Sequence, residues 1–170
     1  MNRKTALRIF LLLALLVLLQ GCGFHLRGSS VSANLPAAIS PIHIQGLPSN
    51  DLFKQELESQ LLNSDAQVTN DAAQAASLMR ITNKRSKRRV LTVNSSGKVL
   101  EYELKESLSF SLTDLAGNER IPVQSVQLIQ IYTNSEDDVL GGKHEEDSLR
   151  EDMWRRLADQ VLRRLSAQLQ

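Results

Sequence analysis

Lys84, Arg85, Lys87, Arg88 and Arg89 put five cations into six consecutive residues, interrupted only by Ser86. Side chains alternate across an extended strand, so Arg85, Lys87 and Arg89 would share one face and Lys84 and Arg88 the other. Three cations spaced about 7 Å apart suit a ligand with several phosphates, because a guanidinium grips phosphate oxygens through paired hydrogen bonds. A solvated strand edge, where charge discourages edge-to-edge sticking, accounts for the same residues, and both readings stand. Catalytic patterns are missing: His25, His43 and His144 fall in separate elements, with no H-E-x-x-H pairing and no G-x-S-x-G elbow. His144-Glu145-Glu146-Asp147 reads as a helix start, where consecutive side chains diverge, and not as a metal site; neither a metal nor a cofactor is expected.

The only cysteine, Cys22, closes Leu19-Gln20-Gly21-Cys22 at the end of an apolar run from Ile9 to Leu19 that follows Arg3, Lys4 and Arg8. A span needs roughly 20 apolar residues, so this shorter run is read as the core of a signal peptide with its positive flank. L-Q-G-C looks like the lipobox of bacterial lipoproteins. That resemblance implies cleavage before Cys22, an S-diacylglycerol on its sulfur and an acyl chain on the new amino end. A cysteine buried in a core has no reason to follow a complete signal. One acyl chain binds a membrane only marginally, at about 0.8 kcal/mol per buried CH₂, whereas two or three make a lasting anchor. In that class an aspartate after the cysteine retains many proteins at the inner membrane; Gly23 stands here, which implies the cell outer membrane. The acylated thiol leaves no partner for a disulfide.

Three domain segments follow: a signal over 1–21, a lipidated N-terminus and tether over 22–40, and a single domain over 41–170. Of the 20 basic residues three lie in the signal, so the mature chain has 17 against 19 acidic ones, a net charge of −2. Affinity for an anion must then come from a local patch and not from the global field. About 150 residues suffice to bury nearly 70% of the unfolded surface, with no need of a staple.

Elements that would position the cations can be read from periodicity. Ile42-His43-Ile44 is a short strand with His43 facing out, and Pro48-Ser49-Asn50-Asp51 opens a helix carrying Leu52, Phe53, Leu57, Leu61 and Leu62. Residues 70–76 fit a helical turn or a loop. Two long strands from Ser77 to Thr113 meet at Asn94-Ser95-Ser96-Gly97. In the second, Leu100, Tyr102, Leu104, Leu108, Phe110 and Leu112 all hold even positions, giving one buried and one wet face. Glu106 breaks that row and is expected where cover runs out. Val123–Tyr132 is a third long strand, with Pro122 at its start. After an acidic loop over 134–142, Leu149, Met153, Trp154, Leu157, Val161, Leu162, Leu165 and Leu169 step by three and four along a last helix. Glu145, Glu146 and Asp147 are expected at its positive end, with Arg163 and Arg164 near its negative end. The fold class is α+β: a mostly antiparallel four-stranded sheet with two amphipathic helices on one face, in the order βαβββα.

At the lipidated cysteine, Cys22-Gly23-Phe24-His25-Leu26-Arg27-Gly28 resembles the LptE (RlpB) family of lipopolysaccharide-assembly lipoproteins. The resemblance runs along the mature chain in element order. It implies a non-enzymatic lipoprotein that sits one-to-one inside an LptD-like outer-membrane β-barrel, supports its assembly and contacts lipopolysaccharide. In that family basic residues near the strand turn and near the start of the final helix are associated with lipopolysaccharide. Lys143 matches the second position approximately. At the first this chain has Asn94 and Ser95, leaving Lys98 or the Arg88-Arg89 pair to serve. Lipid A phosphates and inner-core sugars are then the expected ligands of the basic strand; nucleic acid is not, since a lipid-anchored protein outside the cytoplasm rarely meets it. A free-standing lipid- or lipopolysaccharide-binding carrier lipoprotein is the alternative reading, and a lipid-anchored hydrolase a remoter one.

Overall fold

The computed structural model describes residues 35–134 and 139–169. Cys22 and the signal lie outside them. Strand β1 (Ile42–Gln45), helix α1 (Leu52–Leu62), strands β2 (Ser77–Val93), β3 (Val99–Asp114) and β4 (Glu119–Thr133) and helix α2 (Val139–Leu169) follow one another, as the α+β reading expected. They form one sheet in the order β1-β2-β3-β4. The β2–β3 and β3–β4 pairs are antiparallel and joined by tight turns, whereas β1 runs parallel to β2. A parallel pair needs a crossover. Helix α1 and a short 3-10 turn at Ala72–Gln74 supply it, so residues 70–76 hold both the turn and the lead into β2.

Helix α1 begins where Asp51 accepts the Lys54 N–H at 3.2 Å, satisfying one of the orphan donors of a first turn. It ends with Asp65 in the left-handed region (φ 60°). There the Asp65 N–H donates to the Leu62 carbonyl and the Ala66 N–H to that of Leu61, the pair of bonds of a Schellman ending. Phe53, Leu57 and Leu61 are fully buried, but Leu62 is 57% exposed. Neighbouring helix positions point about 100° apart, so the apolar stripe is narrower than the sequence implied. Gly46 (φ 95°) lets the chain turn from β1 towards α1; a Cβ there would overlap the Ile81 carbonyl oxygen of β2.

Helix α2 packs Trp154, Leu157, Ala158, Val161 and Leu165 into the main core with Phe53, Leu57, Met79, Phe110 and Leu112. Phe53 meets Trp154 edge-on at 5.8 Å between ring centroids, a favoured aromatic geometry. A second apolar cluster joins Leu104, Tyr132 and Met153 further along the hairpin. Leu35 and Ile39, within the stretch read as tether, also pack on the main core.

Three expectations are corrected. Helix α2 starts at Val139, so Glu145, Glu146 and Asp147 lie more than a turn inside it, beyond the reach of the end dipole; Arg163 and Arg164 likewise precede the last turn. Strand β4 starts at Glu119 and contains Pro122, tolerated because β4 is an edge. Glu106 is wholly buried: the cover extends over it, and Arg150 of α2 reaches down to pair with it.

Candidate functional site

The five cations of β2 sit just past a bulge. Asn83 is in the left-handed region (φ 53°), and the β2–β3 register slips between Thr82 and Arg85 before running unbroken to Val90. Asparagine tolerates that conformation better than most residues. Arg85, Lys87 and Arg89 lie opposite Ser107, Lys105 and Glu103, on the sheet face without helices, while Ser86, Arg88 and Val90 lie opposite Glu106, Leu104 and Tyr102 on the helix face. The alternation expected from the sequence is therefore present.

What sequence alone did not separate is which cations are already engaged. The Lys84 ammonium meets Asp51 at 2.7 Å and stands 4.4 Å from the Trp154 ring centroid. Arg88 donates to Glu146 at 2.8 Å and lies 4.7 Å over Tyr102. Arg89 grips both Glu103 oxygens at 2.7 Å. These hydrogen bonds raise the Arg88 and Arg89 pKa values, and the bond from Arg89 holds the Glu103 carboxyl below its ordinary value. Arg85 and Lys87 have no ion-pair partner among the described residues. Lys105, which the sequence showed only as a wet-face residue, lies directly across from Lys87. Cross-strand register is the signal that finds it, and register cannot be read from one strand.

Beside these cations runs a row of small polar groups. Arg85, Lys105, Ser107, Ser109, Ser125 and Gln127 line a shallow depression on the helix-free face, and the Ser109 and Ser125 hydroxyls are 2.9 Å apart. Such a floor offers donors and acceptors to an anionic, hydroxyl-rich ligand. The other candidates are dispersed. Lys98 lies at the β2–β3 turn, its N–H bonded to the Asn94 side chain at 2.9 Å. Lys143 is exposed early in α2. His43 is held by Thr69, its Nδ1 being 3.0 Å from that residue's carbonyl oxygen. Among the described residues no cluster of His, Cys, Asp or Glu could hold a metal ion.

Behind the cation row, on the helix face, a charge network built on the buried Glu106 ties α2 to the hairpin. Arg150 pairs with Glu106 through Nη1 and with Glu146 through Nε at 2.9 Å and Nη2 at 2.6 Å. Ser86 donates to Glu106 Oε1 at 2.6 Å, and Tyr132 donates to Glu146 Oε2 at 2.9 Å. Burial works to raise the Glu146 carboxyl, but hydrogen bonds from Arg150, Arg88 and Tyr132 outweigh it and hold the pKa below the usual value. Burial and the Glu146 carboxylate together raise the Tyr132 phenol. Arg88 is thus fixed in place by a chain of contacts that begins at Glu106.

Residues 39–165 match the model of the LptE family, described as lipopolysaccharide-assembly. The chain is 27% identical over 161 residues to the LPS-assembly lipoprotein LptE of Pectobacterium atrosepticum, covering 93% of this chain and 85% of that one. Its fold resembles the solution structure of uncharacterized lipoprotein B from Nitrosomonas europaea, with a TM-score of 0.68, 28% identity and coverage of 85% and 91% of the two chains. A minor lipoprotein from Acinetobacter baumannii has the same fold, with a TM-score of 0.65, 22% identity and coverage of 78% and 94%.

Proposed function

Because the chain belongs to the LptE lipopolysaccharide-assembly family, we propose that it works as a lipid-anchored, non-enzymatic partner of an LptD-like outer-membrane β-barrel. The observation that carries this reading is the family match, which spans α1, all four strands and α2 as far as Leu165. Acylated Cys22 would hold the domain at the outer membrane; among the described residues no helix is long and apolar enough to cross a bilayer. Lodged in the lumen, the domain would set its Ser/Gln/Lys-lined sheet face against the polar inner wall of a large barrel. Lipopolysaccharide would be met through phosphate contacts at Arg85, Lys87 and Lys105, with Lys98 and Lys143 as further contacts.

Purification of the tagged, lipidated chain from detergent-solubilised outer membranes tests the reading. The expected result is a stable one-to-one complex with a large β-barrel, and depletion of the lipoprotein should lower the amount of assembled barrel. A lone monomer, together with normal barrel levels after depletion, would overturn it and favour the free-standing carrier.

A further inference from the structure

Among the described residues the sheet has two long open edges, and they are treated differently. Strand β1 covers β2 only over Ser77–Arg80, so the rest of β2 is an edge. It carries the bulge at Asn83 and the five cations, both of which discourage strand addition. Strand β4 is the opposite edge. From Ile121 to Thr133 it has no charged side chain, and Ile129 and Ile131 are 48% and 53% exposed.

Which backbone groups this edge offers follows from the register. Pairing of β3 with β4 is continuous from Ser109↔Ser125 to Glu101↔Thr133, and the Asn134 N–H donates inwards to the Leu100 carbonyl at 2.8 Å. Alternate residues of an antiparallel strand turn their backbone groups to opposite sides. The even-numbered residues of β4 therefore bond β3, and the odd-numbered ones face outwards. Arg164 agrees with this assignment, since its Nη1 caps the outward carbonyl of Ser125 at 3.1 Å. Beyond that cap, Gln127, Ile129, Ile131 and Thr133 each present an N–H and a C=O, with no hydrogen-bond partner among the described residues.

We propose that this strip of β4 receives an extended, uncharged segment of the barrel partner as a fifth strand. The inference rests on the barrel reading above. A closed barrel wall has no free edge, so the segment comes from a loop or terminus of that partner. Its uncharged character follows from the strip, which has no charge to match one. A second copy is a poorer occupant for a quantitative reason. Seven residues make a strip about 24 Å long and about 10 Å thick, which buries on the order of 500 Å² over both sides. Stable interfaces bury at least about 1,200 Å². A segment of a partner already bound elsewhere needs no such area, since attachment raises its effective concentration.

Hydrogen exchange on the full lipidated chain in detergent, alone and in its barrel complex, tests the proposal. Amides of Gln127, Ile129, Ile131 and Thr133 should exchange fast alone and at least tenfold more slowly in the complex. Those of Leu128, Gln130 and Tyr132 should be slow in both. Ile129→Pro removes an outward N–H without breaking an inner bond, and should weaken the complex at least tenfold with an unchanged circular dichroism spectrum. Ile129→Lys with Ile131→Lys gives the same reading if the proline variant fails to fold. A complex that forms with the four amides unprotected overturns the strand and leaves the barrel reading standing. Protection that rises with protein concentration in the absence of barrel makes a second copy the occupant and also overturns it. If the unaltered chain forms no barrel complex, the barrel reading itself falls, and this inference with it.

Discussion

Arg150 is the residue on which the distal half of the molecule turns. It comes from α2, four residues after Glu146, and reaches the buried Glu106 of the hairpin. Removing one member of a buried ion pair leaves an uncompensated charge and costs about 3–5 kcal/mol, whereas replacing the whole pair by apolar side chains is often neutral or stabilising. Arg150→Met should therefore lower stability in urea unfolding by about that amount, and adding Glu106→Leu should recover most of it. If the double variant is no more stable than the single one, the cost belongs to lost packing and not to the stranded carboxylate. Glu146 makes the network pH-sensitive. Its native pKa is depressed, so its contribution is present above the unfolded value of about 4.3 and is lost as pH falls through the lower native value. Glu146→Gln should flatten the fall in stability below about pH 4.3; an unchanged acid limb would assign that fall to other carboxyls. At Cys22 the expectation is of another kind: Cys22→Ala should yield a folded domain released from the outer membrane in fractionation, because the first described residue packed on the core is Leu35, well past Cys22.

At the scale of elements, the start of α1 is tied to β2. Asp51 both caps α1 and pairs with Lys84 of β2. Asp51→Ala should cost about 1 kcal/mol for the cap, with an addition for the partly buried pair with Lys84, and Asp51→Asn should restore the cap alone. Equal midpoints for the two variants in urea would show that the cap contributes nothing. Local chemistry of this sort was legible in the sequence, as were the β2–β3 hairpin, its turn and the apolar stripe of α2, since each is a matter of neighbours a few residues apart. Less legible was anything that depends on register between elements. Glu106 looked like a break in an apolar row because its partner lies in another element, and Lys105 looked like one wet residue among several until Lys87 stood across from it. The early start of α2 was hidden by Gly141 and Gly142, which read as loop. The parallel β1 was invisible for the same reason as Glu106, since a strand's direction depends on a neighbour that it meets only after a crossover.

Taken whole, the molecule separates its charges by face. Residues 22–170 carry 17 basic and 19 acidic side chains, so an anionic ligand is drawn by arrangement and not by net charge. On the helix face, Lys84 and Arg88 are closed by carboxylates, and Arg89 is closed by Glu103 on the other. Arg85, Lys87 and Lys105 remain as a cluster beside the Ser/Gln floor. Hydrogen bonds to charged groups contribute roughly 1.5–3 kcal/mol each, so loss of even one phosphate contact corresponds to at least about a tenfold loss of affinity. Reversing Arg85, Lys87 and Lys105 to Glu should therefore weaken binding to purified lipopolysaccharide by more than tenfold. It should also flatten the salt dependence, because charges at the protein surface are screened beyond a Debye length of about 8 Å at physiological salt. Arg89→Glu should do much less, since the guanidinium it removes is already occupied by Glu103. The ordering is the discriminating result. If Arg89→Glu matches the triple reversal, lipopolysaccharide competes with Glu103 for its arginine; if neither variant moves affinity or salt slope while circular dichroism is unchanged, the cations are edge protection, the plainer of the two readings that the sequence allowed.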